Sequence, residues 1–481
     1  MSHSISSRHK LQHSPSPRIG IIGGGIAGST IAIELSELGL DVTILEQGPS
    51  LVNGPPICHL HSGGNLYREI DDQQCLTLLR QSIATLKRFH HSAYYRPTVI
   101  AIPQRDPGDV DQLLPRLNRL QQHYKELVND DATNKVLGEP SDYYSLYQRQ
   151  DLERISQLSA VDNPQTSEQW LIPVAQELDL DKLKFPILLV QEYGLSVFRL
   201  AATATLTLNA APNCDIHCHT TVTDISKSAN QWQITSSRNS QTKQFEFDYL
   251  INACGYQSGS IDDLVSEKRA RLVEFKAAYV THWHSEFNAW PEVIIYGERG
   301  TPNGMAQLTP YPGGYFQIHG MTQDITLFDN GLVANSDSSA QPQLEARFIK
   351  KLTKQWPAQL IVQRTTSAID FISEFIPRFS SASLGGKPLF GAQQIPGQDP
   401  NLRAADVSFS QENYARCEIV KASSAIDAAD SIVAELNRLA LFSANDTKLQ
   451  SYPLTKQQID KLATQFAIDR DYPTQLATTL K

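Results

Sequence analysis

Short apolar runs broken by glycines shape the first fifty residues. RIGII (18–22) suits a strand buried on both faces, and it ends in Gly23-Gly24-Gly25-Ile26-Ala27-Gly28. Ile31, Ile33, Leu35 and Leu38 then recur at helical spacing as far as Gly39, and VTIL (42–45) gives a second strand. LLPRLNRLQQHYKELV repeats the helical spacing inside a stretch, about 106 to 184, that reads as mainly helical. Alternation returns in TTVTDISKSANQWQITSS (220–237), where two strands flank a polar turn. From about 266 to 384 it continues through EFKAAYVTHW, EVIIYG, MAQLTP and GYFQIHG, with a turn at Tyr311-Pro312-Gly313-Gly314. ARFIKKLTKQWP inserts a helix that Pro357 ends, and the last forty or so residues read as helical and polar.

The first of these patterns carries chemistry. A strand, a G-x-G-x-x-G turn, a helix and a second strand ending in Glu46-Gln47 form a dinucleotide-binding unit. Gly23 permits the tight turn, Gly25 lets backbone approach a pyrophosphate, and Gly28 lets the helix pack on the strand. The helix start at Ile26 and Ala27 offers amide donors to phosphate. Glu46 is placed for ribose hydroxyls, and a carboxylate there repels a 2'-phosphate, which disfavours NADP.

Composition narrows the partners. A chain of 481 residues exceeds what one core serves, so two domains are expected. A net charge of -9 argues against nucleic acid, and no run of apolar residues is long enough to span a bilayer. Six cysteines without a framework spacing fit a reducing, cytoplasmic setting, with contact at a membrane surface left open. Residues 1–17, serine-rich and basic, read as a flexible tail.

Beyond the glycine motif, three segments resemble the D-amino-acid oxidase or sarcosine oxidase type of FAD-dependent oxidoreductase. Thr220–Ser237 resembles the hairpin on the adenine side of FAD and brings in Val222. FDYLINACGYQSGSI (247–261) resembles the family's D-x-V-V-N-A-A-G-x-W-S segment, with Asp248, Asn252, Ala253 and Gly255 matching. YARCEIVKASSAIDAADSIVAEL (414–436) occupies the place of the closing segment that meets the flavin ring, with Lys421-Ala422-Ser423-Ser424 where the family has a glycine pair.

The resemblance implies an α/β fold with FAD as cofactor. A Rossmann-like FAD-binding domain with a parallel sheet, discontinuous in sequence, takes residues 18–105, 185–265 and 385–440. A second α+β substrate domain, built on a mainly antiparallel sheet, takes 266–384 together with a helical insertion at 106–184, and 441–481 forms a helical extension. Cofactor contacts are then expected from Gly23, Gly25, Ile26, Ala27, Gly28, Glu46, Gln47, Val222, Ala253, Gly255, Ala422 and Ser423.

CHLHSGGNLYREI (58–70) follows the ribose-binding acid. In the resembled family this segment runs beneath the flavin, so His61, Ser62, Gly63, Gly64 and Asn65 are cofactor-binding candidates. His61 is similar both to histidines that bond the flavin covalently and to histidines that only touch it; a structural role is the third alternative. Arg68 resembles, by its spacing after the histidine, the arginine that grips the substrate carboxylate in monomeric sarcosine oxidases, a task suited to two parallel donors; the alternative is a pair with Glu69. Lys421 is the candidate cation near flavin N1 and the C2 carbonyl, or an exposed loop lysine.

No metal is assigned: nothing completes a site around Cys58, His59 and His61, and a strand over Cys214–His219 would split its ligands between two faces. His282 and His284 share one strand face, either lining a substrate pocket or facing solvent. The expected activity is oxidation of a small amine, amino acid or hydroxyacid by hydride transfer to flavin N5. Oxygen, a quinone or an electron-transfer protein would take the electrons. A quinone-linked dehydrogenase of the malate or 2-hydroxyacid type and a non-catalytic flavin subunit are the alternatives.

Overall fold

The computed structural model describes residues 16–54, 70–354, 356–405, 407–442 and 452–479. Two sheets organise it. The first has six strands in the order Val407–Gln411, Tyr414–Cys417, Tyr249–Asn252, Arg18–Ile22, Asp41–Leu45 and Cys214–His217, all parallel except the first, an antiparallel edge. Strands far apart in sequence thus meet in one sheet. Alternate residues explain the two layers around it. Ile19, Ile21, Val42, Ile44 and Ile251 pack against helices Ile26–Glu37, Val197–Ala210, Ala425–Arg438 and Lys456–Asp469. Ile22, Leu45 and Leu250 face Ile225, Trp232, Ile234 and Phe247 of the three-stranded sheet Thr221–Ser228, Gln231–Arg238 and Gln241–Phe247. The expected hairpin at 220–237 is the first two strands of that sheet, and the third is an addition.

The second sheet has ten strands and is antiparallel but for the junction of Thr98–Pro103 with Glu292–Ile295. Its long strand, Arg271–His282, pairs with Tyr315–Gly320, Leu332–Ala334, Ser383–Leu384 and Leu389–Pro396. Thr98–Pro103, most of Leu183–Val190 and Leu389–Pro396 come from stretches that the sequence assigned to the cofactor domain. The reason is physical: TVIAIP is buried throughout, and a run without alternation does not say which sheet it joins.

Three other elements differ in detail. The helix in ARFIKKLTKQWP stops at Thr353, and Pro357 instead caps a new helix, Ala358–Ser373, within the stretch expected to alternate as strands. Its inward residues, Thr365, Ala368, Ile369 and Ile372, follow helical spacing. In the helical insertion Leu114–Asp130 buries Leu117, Leu120 and Tyr124 as its spacing predicts. The C-terminal helix Lys456–Asp469 packs on Val197–Ala210 through Ile459, Ala463 and Ala467. Among the described residues no helix is long and apolar enough to cross a membrane.

Candidate active site

Strand Arg18–Ile22 leads into a turn that only glycine can make. Gly23 has φ of +99°, and a Cβ there would stand 2.6 Å from the Ala253 carbonyl oxygen. In the first turn of helix Ile26–Glu37, a Cβ on Gly28 would stand 1.9 Å from the Gly23 oxygen, so the helix reaches this position only without a side chain. Gly25 is different. It is the helix N-cap with ordinary φ of -66°, it supplies no side-chain cap of its own, and a Cβ there would meet nothing within 4 Å among the described residues. The amide end of the helix therefore opens onto space that a pyrophosphate can use.

Glu46 closes one side of this cradle. Its Oε2 accepts from the Gly24 amide at 2.6 Å and its Oε1 from the Gly48 amide at 2.5 Å, which fixes the carboxylate of a residue only 9% exposed. Gln47 donates through Nε2 to Gln257 Oε1 and so joins the end of the second strand to the turn after Asn252. Ala253 is buried beside Gly23, and Gly255, with φ of +56°, has nothing within 4 Å of where a Cβ would stand among the described residues, as at Gly25. Asn252 holds that turn: its Oδ1 accepts from the Cys254 amide at 3.3 Å, and its Nδ2 donates to the Ser258 carbonyl at 2.9 Å and to the Tyr414 hydroxyl at 3.0 Å. Tyr414 in turn donates to Asp262, a buried carboxylate gripped by Arg271 and Arg416, each at 2.7 Å. Val222 lies half-buried in the layer of the three-stranded sheet.

Lys421, Ala422 and Ser423 form the turn that opens helix Ala425–Arg438. Thr85 Oγ1 donates to the Ser423 carbonyl at 3.3 Å, and Ser424 Oγ donates to Gln81 Oε1 at 2.8 Å. On its other side Gln393 Nε2 donates to the Val420 carbonyl at 3.2 Å, which seats the turn against the second sheet. Lys421 is half-buried there.

The sheet face that meets this turn carries a row of buried polar side chains that sequence reasoning did not single out. Gln307 pairs with His319, Thr309 with Gln317, Val280 with Gln317, and Ile294 with Gln307, so these side chains share one face. Glu292, two residues before Ile294, joins them. The opposite face is apolar, with Val293, Leu308, Phe316, Ile318 and Tyr279 in one cluster. The signal was present as polar residues at alternate positions in MAQLTP and GYFQIHG; it became informative once both faces proved buried.

Glu292 is the most perturbed acid in this row. Gln307 Nε2 donates to its Oε1, and Arg96 lies 3.4 Å from its Oε2 with its guanidinium over the Tyr94 ring. Burial pushes its carboxyl up to about 7, against the pull of Arg96. Tyr311 donates to Gln317 Oε1 at 3.2 Å, whereas the buried Thr309 Oγ1 has no hydrogen-bond partner among the described residues. His282, opposite Tyr315 and two residues from Val280, lies on the same face as this row at the end of its strand, and His284, just beyond the strand, has its ring 4.7 Å from that of His282. Cys214–His217 forms the edge of the first sheet. Residues 55–69, and with them Cys58, His59, His61, Ser62, Gly63, Gly64, Asn65 and Arg68, lie outside the described residues.

The open glycine-bounded cradle, the fixed acid and the uncapped helix end fit a dinucleotide such as FAD. The sequence profile of the DAO family, FAD dependent oxidoreductase, matches residues 18–402. A comparison with curated protein sequences gives no match. Among solved structures, the L-amino acid deaminase from Proteus vulgaris is 12% identical and superposes with a TM-score of 0.58 over 95% of this chain and 99% of its own. The L-proline dehydrogenase from P.horikoshii is 15% identical, with a TM-score of 0.56 over 90% and 95%. The glycerol-3-phosphate dehydrogenase from Bacillus halodurans, solved with FAD, is 11% identical, with a TM-score of 0.57 over 95% of this chain and 73% of that one. At such identities the superpositions speak for the fold, and the profile for the family: the chain belongs to the DAO family of FAD-dependent oxidoreductases.

Proposed function

We propose that this enzyme oxidises a small amine, amino acid or hydroxyacid, with the reacting carbon held between the flavin and the polar face of the second sheet. The observation that carries the reading is the buried polar row Glu292, Gln307, Thr309, Gln317 and His319 on one face of the second sheet, whose other face there is apolar. Polar groups are costly to bury, and a row of them on the face turned to the cofactor domain is explained by a polar ligand.

FAD, when bound, supplies the hydride acceptor at N5. Gly25, Ile26, Ala27 and Glu46 would hold its pyrophosphate and ribose, Gln47, Gly23, Gly28, Val222, Ala253 and Gly255 its surroundings, and the Ala422–Ser423 turn its ring end. Lys421, at the start of that turn, would place a cation beside the ring. Loss of hydride from the carbon requires loss of a proton from the substrate nitrogen or oxygen. Glu292 is suited to take it, because a carboxyl held near 7 is partly ionised at neutral pH and is a stronger base than an ordinary carboxylate. Gln307 and Arg96 fix its orientation. Arg68 remains the proposed grip for a substrate carboxylate, and His61 a flavin contact or covalent anchor.

The test is anaerobic mixing of the FAD-loaded protein with N-methylated amines, amino acids and 2-hydroxyacids while the visible flavin band is followed. Bleaching by one of these classes supports the reading. A band that none of them bleaches, though dithionite does, overturns it.

A further inference from the structure

Val52, in the loop after Glu46, holds a backbone conformation that its side chain opposes. Its φ is +50°, in the left-handed region that β-branched residues rarely enter, and its side chain is fully buried. Strain of this kind persists only where the surroundings impose it. Here both ends of the residue are held. The Val52 amide donates to the Gly24 carbonyl at 2.8 Å, and the Val52 carbonyl accepts from Arg470 Nη1 at 3.0 Å. Leu51 covers the same turn, since a Cβ on Gly24 would stand 2.6 Å from Leu51 Cδ2. The loop and the glycine turn are thus fitted to each other.

Arg470 comes from 418 residues further along the chain. It ends helix Lys456–Asp469, which packs on Val197–Ala210. Its guanidinium stands 5.1 Å from the Phe466 ring centre and 5.7 Å from that of Phe198. Besides Val52, it reaches two neighbours in the same loop: Nη2 donates to Ser50 Oγ and to the Leu51 carbonyl, each at 3.2 Å. Its side chain makes no ion pair among the described residues. A planar fork of donors set between two rings and aimed at loop carbonyls holds a backbone shape rather than balancing a charge.

That shape has a cost, and the clamp decides when it falls due. With Arg470 in place the loop is formed before the cofactor arrives. Without it Val52 can relax in the apoprotein, Gly24 loses its partner, and binding must restore both.

We propose that Arg470 is a positioning residue for the cofactor: it holds Val52 in the left-handed conformation and, through the Val52–Gly24 hydrogen bond, keeps the pyrophosphate turn in its binding shape. Arg470 acts through Val52 and not on FAD itself. The inference rests on the reading that puts FAD at the glycine turn, and it is independent of the substrate.

The experiment is fluorescence titration of the apoproteins with FAD, beside urea unfolding of the same apoproteins. Arg470→Met keeps an apolar stem near Phe198 and Phe466 and removes the donors. Its affinity for FAD should fall about tenfold, the strain of one left-handed residue that binding must restore. Val52→Gly supplies the left-handed φ without strain, and in the Arg470→Met background it should return affinity to within about threefold of wild type. The same change removes a buried side chain and should lower the urea midpoint further. Affinity and stability then move in opposite directions, whereas two merely structural losses would lower both. If Arg470→Met does not fold, Arg470→Lys replaces it, with a loss of about threefold that Val52→Gly recovers. Affinity within about twofold of wild type in the Arg470 variant, or a double variant that binds no better than the single one, overturns the proposal. Gly25→Ala tests the placement of the pyrophosphate separately: if it weakens FAD and the Arg470 variant does not, only the role of Arg470 is lost, and if neither does, the placement is lost as well.

Discussion

Gly25→Ala and Gly28→Ala look equivalent in sequence and should behave oppositely. At Gly28 the added methyl would sit 1.9 Å from the Gly23 carbonyl oxygen, a backbone atom that moves only if the turn moves. Overpacking of this kind costs roughly 1–3 kcal/mol, and a rigid neighbour puts Gly28→Ala at the upper end. At Gly25 the methyl meets nothing within 4 Å among the described residues and φ of -66° is ordinary for alanine, so the apoprotein should lose only a few tenths to about 1 kcal/mol for the weaker N-cap. The open space is the place proposed for the pyrophosphate. There the same roughly 1–3 kcal/mol would fall on cofactor binding, a loss of about 5- to 150-fold in affinity. The assay pairs denaturant unfolding of the apoproteins with titration of FAD fluorescence. The reasoning is refuted if Gly25→Ala binds FAD within about twofold of wild type, or if it unfolds as readily as Gly28→Ala.

Other outcomes follow from the buried charges. Asp262→Ala leaves buried Arg271 and Arg416 with only the looser carboxylates of Glu418 and Glu267, each 3.6 Å away, and should cost about 3 kcal/mol, the low end for breaking a buried ion pair, measured as a lower urea midpoint. Glu292 should make stability pH-dependent. Its folded pKa is raised, from 4.5 to about 7, so between those values the folded state holds the extra proton; stability should be fullest below 4.5 and fall by about 3 kcal/mol as pH rises through 7. Glu292→Gln should remove that slope from unfolding curves taken across the range, and an unchanged slope would count against the buried acid. Acid precipitation of the holoprotein separates the readings of His61: flavin in the pellet means a covalent bond, and flavin in the supernatant means contact alone.

The two halves of the site differed in how far the sequence disclosed them. GGGIAG was legible because its spacing is dictated by local backbone geometry: Gly23 and Gly28 are forced by contacts within a few residues or with one neighbouring strand. The polar row was not, because Glu292, Gln307 and His319 acquire meaning only through cross-strand register, and register is set by pairing between distant segments. For the same reason TVIAIP could be read as a strand but not placed in its sheet. The ion cluster at Asp262 joins residues 262, 271 and 416, which no local pattern connects. Helix Ala358–Ser373 is a different case: its spacing was present in the sequence and went unread.

The central claim is that the polar face of the second sheet serves the chemistry through Glu292. It is tested most directly by the rate of anaerobic flavin reduction, measured across pH with a substrate that bleaches the band, in the wild type and in Glu292→Gln. The account predicts a wild-type rate that rises through about 7, as the carboxyl ionises, and a variant that is slower by about a hundredfold or more with that rise gone. A variant with the wild-type rate and pH profile would contradict it.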